Sequence, residues 1–237
     1  MTTDTIKALV FDVFGTVVDW RTSIAREAKA SLAPKGIDID WLAFADAWRG
    51  KYQPAMERVR SGGRGYVRLD ILHRENLDEL LDKKGISGLS EEERVHLNKA
   101  WHRLDGWPDS PGGLARLKTK FIIGTMSNGN VALMVNMAKH AGLPWDVILG
   151  AEPAQSYKPM PKTYLTGVEW LGLEPSEVLM CAAHNSDLLA AADCGLRTAF
   201  IARPHEYGPN QDRDFKAEHD FDYVTEDMND LADQLGC

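Results

Sequence analysis

Four groups of reactive side chains stand out in the 237 residues. Asp12 follows the apolar run Ala8-Leu9-Val10-Phe11 directly and is followed by Val13-Phe14-Gly15-Thr16. Ser127-Asn128-Gly129-Asn130 ends a second apolar run, and Lys158 lies within Tyr157-Lys158-Pro159-Met160-Pro161-Lys162-Thr163-Tyr164. His184-Asn185-Ser186-Asp187 closes another such run. An aspartate at a strand end suits a structural turn as well as it suits chemistry. Carboxylates, hydroxyls, an amide and an ammonium gathered at one edge, however, are the parts of nucleophilic or acid–base catalysis.

The elements that must position these groups are read from periodicity. Ala8–Phe11, Phe121–Met126, Val178–Ala183 and Thr198–Ala202 read as strands covered on both faces, with Val147–Leu149 a weaker one. Helix-length segments lie between them at Val131–Ala141, Lys162–Leu171 and Asp187–Cys194, the last stopped by Gly195. Alternation of this kind predicts an α/β fold, a Rossmann-like parallel sheet with crossover helices. About 100 residues separate the first strand from the second, and that interval reads as helix after helix. Ser90-Glu91-Glu92-Glu93 has the capping-box pattern of a helix running to about Arg103, and Asp40 precedes the aromatic-rich segment Trp41–Tyr52. Gly62-Gly63-Arg64-Gly65 and Lys84–Gly88 read as breaks between helices. The expectation is a core of residues 1–19 and 105–237, split by an inserted helical cap over 20–104. The ligand site would then be the cleft between cap and core, at the carboxyl ends of the strands.

Composition narrows the partners. With 44% hydrophobic and 26% charged residues, the chain has the makeup of an ordinary folded domain rather than a disordered one. A net charge of −8 and a pI near 5.4 argue against nucleic acid but not against a small anion, since a few cations outweigh the mean field at short range. Cys181, Cys194 and Cys237 are odd in number and lack metal-site spacing, so a reducing cytoplasm is the default expectation. Met1–Lys7 leaves no room for a signal peptide, and no apolar run is long enough to span a membrane. Gly124-Thr125-Met126-Ser127-Asn128-Gly129 is not a nucleophile elbow, and Gly63-Arg64-Gly65 is not a dinucleotide fingerprint.

Taken in order, the four groups resemble the motifs of the haloacid dehalogenase superfamily: Asp-x-x-x-Thr, a Ser or Thr, a Lys and a terminal acidic motif. The resemblance covers essentially the whole chain. Ser-Asn-Gly-Asn and Lys-Pro-x-Pro-x-x-Tyr look like the L-2-haloacid dehalogenases in particular. Phosphatases of the superfamily carry a second aspartate two residues after the first, to protonate the leaving alcohol, where this chain has Phe14. Halide leaves as a weak base and needs no such acid. The phosphatases also bind magnesium through acidic residues after the fourth strand. Ala183-His184-Asn185-Ser186-Asp187 offers fewer carboxylates than a hard cation asks for, so no metal and no other cofactor is expected.

The resemblance implies that Asp12 attacks C2 of an (S)-2-haloacid and expels halide, with inversion, and that water then hydrolyses the aspartyl ester to an (R)-2-hydroxyacid. Asp187 would activate that water and Asn185 help to hold it. Lys158 would keep Asp12 ionised, against the alternative of a surface ion pair. Thr16, Ser127 and Asn128 would offer donors to Asp12, the substrate carboxylate or halide, although a serine at a strand end is also a common helix cap. Tyr164 would buttress the site or simply pack in the core. Trp48-Arg49-Gly50-Lys51 resembles the family's Trp-Arg-x-Lys segment and puts Arg49 opposite Asp12 to receive halide, unless it lies on a solvated helix face. Phe14, Trp20 and Tyr52 would wall the pocket or belong to ordinary core. His184 stands where relatives carry an aromatic, and would make a smaller, more polar halide pocket favouring fluoride, or satisfy backbone groups at a strand end. A homodimer is also implied. A magnesium-dependent phosphatase and a catalytically silent binding protein are the rival readings.

Overall fold

Ala8–Phe11 is buried along its whole length because it is the centre of a parallel sheet, with a strand hydrogen-bonded on each side. The computed structural model describes residues 5–237; residues 1–4, which open the stretch read as too short for a signal peptide, lie outside the described residues. The strands in chain order are β1 (Ala8–Phe11), β2 (Val18–Asp19), β3 (Asp105–Gly106), β4 (Ile122–Ser127), β5 (Val147–Gly150), β6 (Val178–Ala182), β7 (Arg197–Ile201) and β8 (Tyr223–Thr225). Six of them form one all-parallel sheet in the order β5-β4-β1-β6-β7-β8. Alternate residues feed opposite faces: Leu9 and Phe11 pack into one apolar cluster, Ala8 and Val10 into another.

Five helices lie between β2 and β3: α1 (Trp20–Leu32), α2 (Trp41–Arg49), α3 (Tyr52–Arg60), α4 (Leu69–Lys83) and α5 (Glu91–Asn98). Asp19 and Asp40 cap α1 and α2 by accepting from Thr22 N and Ala43 N, and Ser90 with Glu93 forms the expected capping box on α5. The larger apolar cluster runs without a break from the sheet into these helices, through Trp20, Phe44, Trp48 and Leu72, and on to Trp101 beyond α5. β2 and β3 pair antiparallel, Val18 with Gly106 and Asp19 with Asp105, so the chain leaves and re-enters the sheet layer through one short stem. The remaining helices, α6 (Ser110–Leu117), α7 (Val131–Ala141), α8 (Ala151–Ala154), α9 (Pro161–Leu171), α10 (Asn185–Asp193) and α11 (Met228–Gln234), follow β3 in the chain.

Several elements differ from the periodicity reading. The segment Trp41–Tyr52 is not continuous helix, because α2 ends at Arg49 with Gly50 as its cap and Tyr52 already opens α3. The helix opened by Ser90 is α-helical only to Asn98 and tightens into a 3-10 turn over Lys99–Arg103. β8 was not expected: it is an edge strand of three residues whose Val224 is exposed, too short to show a pattern.

One buried ion pair ties the loops at the top of the sheet together. Arg203, after β7, donates Nε–H to Thr16 O and both Nη groups to Asp109, which also accepts from Met228 N at the start of α11. Arg203→Ala would leave the half-buried Asp109 without its cation and Thr16 O without a donor, and should lower the unfolding free energy by about 1–3 kcal/mol. Urea titration of parent and variant measures it, and a difference within about 0.5 kcal/mol would show that the pair does not hold these loops.

Candidate active site

The site is built where the order of strands reverses, at the carboxyl ends of β4, β1 and β6. Asp12 directly follows β1, its backbone N–H bonded to Cys181 O of β6 at 3.0 Å, so its side chain emerges at that edge with only 6% of the residue exposed. Its two oxygens have different company. Oδ1 accepts from Lys158 Nζ at 2.9 Å. Oδ2 accepts from Thr16 Oγ1 at 2.9 Å and faces His184 Nδ1 at 3.2 Å. Thr16 Oγ1 accepts in turn from Ala183 N, which pins the turn after β1 to the end of β6.

Lys158 is placed by both halves of the molecule. Its N–H donates to Asn128 Oδ1 at 2.8 Å, and its carbonyl accepts from Arg60 of α3 at 3.0 Å. Its ammonium bridges Asp12 and Asp187 Oδ2. The other Asp187 oxygen accepts from the Tyr164 hydroxyl at 2.5 Å.

Burial by itself would push the Asp12 carboxyl up, but the Lys158 ammonium, and after it His184, hold it far below the ordinary carboxylate range. Burial likewise opposes the charge on Lys158, and Asp12 and Asp187 reverse it, so the ammonium is held above its ordinary value. His184 follows the same pattern: burial disfavours the imidazolium, while Glu206 and Asp12 raise it well above 6.5. The Tyr164 hydroxyl is pushed up by burial and by Asp187, and so stays a donor.

Across a cleft of about 800 Å³ stands Arg49, at the end of α2. Its guanidinium carbon is 4.0 Å from the Tyr52 ring centre, 5.4 Å from Trp20 and 5.6 Å from Phe14. Nη1 is buried without a protein hydrogen-bond partner, a donor held in an aromatic frame with nothing to donate to. Asp12, Asn128, Lys158, His184 and Asp187 line the opposite wall.

Some sequence-derived candidates stand elsewhere. Asn185, expected to help hold the attacking water, gives both amide hydrogens to Asp214 and the Lys216 carbonyl and accepts from Glu218 N. Its side chain is therefore spent on the loop over α10, which corrects that expectation. Ser127 is fully buried and accepts from Gly129 N, while Asn128 beside it lines the cleft. Phe14 is buried behind Arg49, edge-on to Tyr52 and Trp101. His184, by contrast, stays in the cleft wall, with its two ring nitrogens against the carboxylates of Asp12 and Glu206.

Glu206 is the residue that sequence reasoning missed. It is 1% exposed, accepts from Trp20 Nε1 at 3.0 Å on Oε1, and meets His184 Nε2 at 2.9 Å on Oε2. Its access depends on Gly15: a Cβ there would lie 2.0 Å from Glu206 Oε1, and Gly15 has φ +91°. The surroundings of Asp12 do not fit a magnesium ion. Lys158 and His184 already put positive charge on its two oxygens, and the position two residues on is the hydrocarbon ring of Phe14.

The family model for haloacid dehalogenase-like hydrolases matches residues 6–195. The chain belongs to that family. Haloacid dehalogenase-like relatives include (S)-2-haloacid dehalogenase 1 of Pseudomonas sp. (strain CBS-3), 29% identical over 86% of this chain and 89% of the relative. (S)-2-haloacid dehalogenase 4A of Burkholderia cepacia is 27% identical over 86% and 87%. Among solved structures, a defluorinating L-2-haloacid dehalogenase superposes with a TM-score of 0.96 at 49% identity, covering 98% of this chain and 96% of the other. A second L-2-haloacid dehalogenase gives a TM-score of 0.94 at 46% identity, covering 98% and 99%.

Gly15→Ala tests the packing of this haloacid dehalogenase-like site. The positive φ alone should cost about 1–3 kcal/mol, and the methyl must also displace Glu206. A clear fall in Tm by calorimetry is expected, and an unchanged Tm would mean that Glu206 does not occupy the space against Gly15.

Proposed function

We propose that the protein hydrolyses short (S)-2-haloacids to (R)-2-hydroxyacids through an ester on Asp12. The observation that carries this reading is a nearly dry carboxylate with Lys158 on it, sharing one cleft with the unspent Nη1 of Arg49, and a phenyl ring where a leaving-group acid would stand. Substrate lies between the two, its carboxylate within reach of Asn128 and its halogen directed to Arg49. Asp12 displaces halide from the opposite face of C2, so the configuration inverts. Lys158 keeps the nucleophile ionised and Thr16 orients it. Asp187, fixed by Tyr164, takes a proton from the water that opens the ester.

Similarity at 49% identity to a defluorinating L-2-haloacid dehalogenase supports including fluoroacetate among the substrates. We divide the chain into a catalytic core of residues 1–19 and 105–237 and a cap of 20–104, with the reaction at their boundary. No helix among the described residues is long and apolar enough to cross a membrane, which agrees with a cytoplasmic enzyme. A homodimer is the assembly we propose for it.

Halide release from (S)-2-chloropropionate, with and without EDTA and beside hydrolysis of a generic phosphate ester, tests the function. EDTA-insensitive halide release from the S enantiomer, with little from the R, is expected. Phosphate release that EDTA abolishes, without dehalogenation, would contradict it. Arg49→Lys replaces a fixed planar donor with a point charge and should lower kcat by about 10²-fold. Fluoride release from fluoroacetate should exceed a buffer control, and release at the control rate would remove that substrate.

A further inference from the structure

We propose that Glu206 is a positioning residue that holds His184 as an imidazolium on Asp12 Oδ2, so that His184 and Thr16 together form the oxyanion site for hydrolysis of the ester. The inference rests on the ester pathway proposed above and assigns roles within it that the halide chemistry alone does not require.

A carboxylate oxygen only accepts, and each ring nitrogen of His184 faces one: Nδ1 faces Asp12 at 3.2 Å and Nε2 faces Glu206 at 2.9 Å. Both nitrogens must then carry hydrogen, which makes the ring a cation. The second Glu206 oxygen accepts from Trp20 Nε1, a group that only donates. The glutamate is 1% exposed, and the absent side chain of Gly15 makes the room that lets it reach this depth. The other titratable groups that line the cleft with His184 include Tyr207, Lys158, Asp187, Arg49, Arg213 and Asp214. Burial alone would strip the proton from His184, and it is Glu206, with Asp12, that retains it.

The two Asp12 oxygens are unequal as nucleophiles. Oδ2 accepts from Thr16 and has His184 Nδ1 only 3.2 Å away, whereas Oδ1 meets Lys158 alone and is the less encumbered of the two. Oδ1 therefore forms the bond to C2 as the carbon–halogen bond breaks, and Oδ2 becomes the ester carbonyl oxygen. Esterification removes the Asp12 charge, and Glu206 is then the anion in contact with His184. When water adds to Cγ, one of its protons passes to Asp187 and the carbonyl electron pair moves onto Oδ2, where Thr16 O–H and His184 N–H receive it. Collapse breaks the bond from Cγ to the alkylated oxygen. The departing alkoxide takes the proton from Asp187, the second water proton goes to solvent, and Asp12 is again a carboxylate.

Rapid-quench mass spectrometry of the full-length protein with (S)-2-chloropropionate, in parent and Glu206→Gln, tests this. The variant should hydrolyse the ester at least about tenfold more slowly, so that esterified Asp12 accumulates, while the initial halide burst changes less. The alkaline limb of ester hydrolysis should move to lower pH by about one unit, because the neutral amide no longer retains the imidazolium proton. A purely structural Glu206 would leave that limb in place. A folded variant with no accumulation and an unmoved limb overturns the inference and leaves the dehalogenase reading standing. A parent that releases no halide overturns both. A measurement on the parent alone covers a variant that fails to fold: ¹⁵N-histidine NMR at about pH 8 should show both His184 nitrogens protonated, and a neutral ring would overturn the inference.

Discussion

A carboxylate used as a nucleophile at carbon must be ionised, and it must also be largely stripped of the water that would blunt it. Those demands conflict, since burial favours the neutral acid. Asp12 meets both because its desolvation is offset by fixed cations, with Lys158 on one oxygen and His184 on the other. Each cation needs further anions to survive burial, and these are Asp187 and Glu206. With Arg49 across the cleft, the centre holds three carboxylates and three cations in a small volume. An arriving haloacid anion is then drawn by Arg49, whose buried Nη1 has no protein partner.

The fold serves that balance of charge. The order reversal around β1 brings the ends of β4 and β6 to either side of Asp12, delivering Asn128 from one and His184 from the other. Lys158 comes from the turn before α9, and Asn128 and Arg60 grip its backbone from the two layers. The helices between β2 and β3 add what the sheet cannot, a guanidinium facing the nucleophile across the cleft. Because the apolar cluster is continuous from sheet to helices, the distance between Asp12 and Arg49 is set by packing rather than by a loose linker.

Much of this was legible in the sequence. The strands around the centre of the sheet announced themselves as apolar runs, and the residue types following them identified Asp12, Thr16, Asn128, Lys158 and Asp187 as neighbours. What escaped notice did so for physical reasons. Glu206 lies in Arg203-Pro204-His205-Glu206-Tyr207-Gly208, an irregular segment with no period to place its side chain, and only the tertiary fold brings it under Gly15. Asn185 stands two residues before Asp187 on α10, and two helical steps turn their side chains about 200° apart, so one faces the loop and the other the cleft. His184 is legible as a departure from the family pattern, but its partners are not, because one of them is Glu206.

The central claim is that an oxygen of Asp12, and not water, attacks the substrate. Single turnover of (S)-2-chloropropionate in heavy-oxygen water, followed by mass analysis of the peptide containing Asp12 and of the released hydroxyacid, tests it most directly. Label should appear in Asp12 while the first product carries none, because the product leaves with an oxygen that belonged to the enzyme. Label in the first hydroxyacid with none in Asp12 would mean direct attack by water, and would contradict the role assigned to every group around that carboxylate.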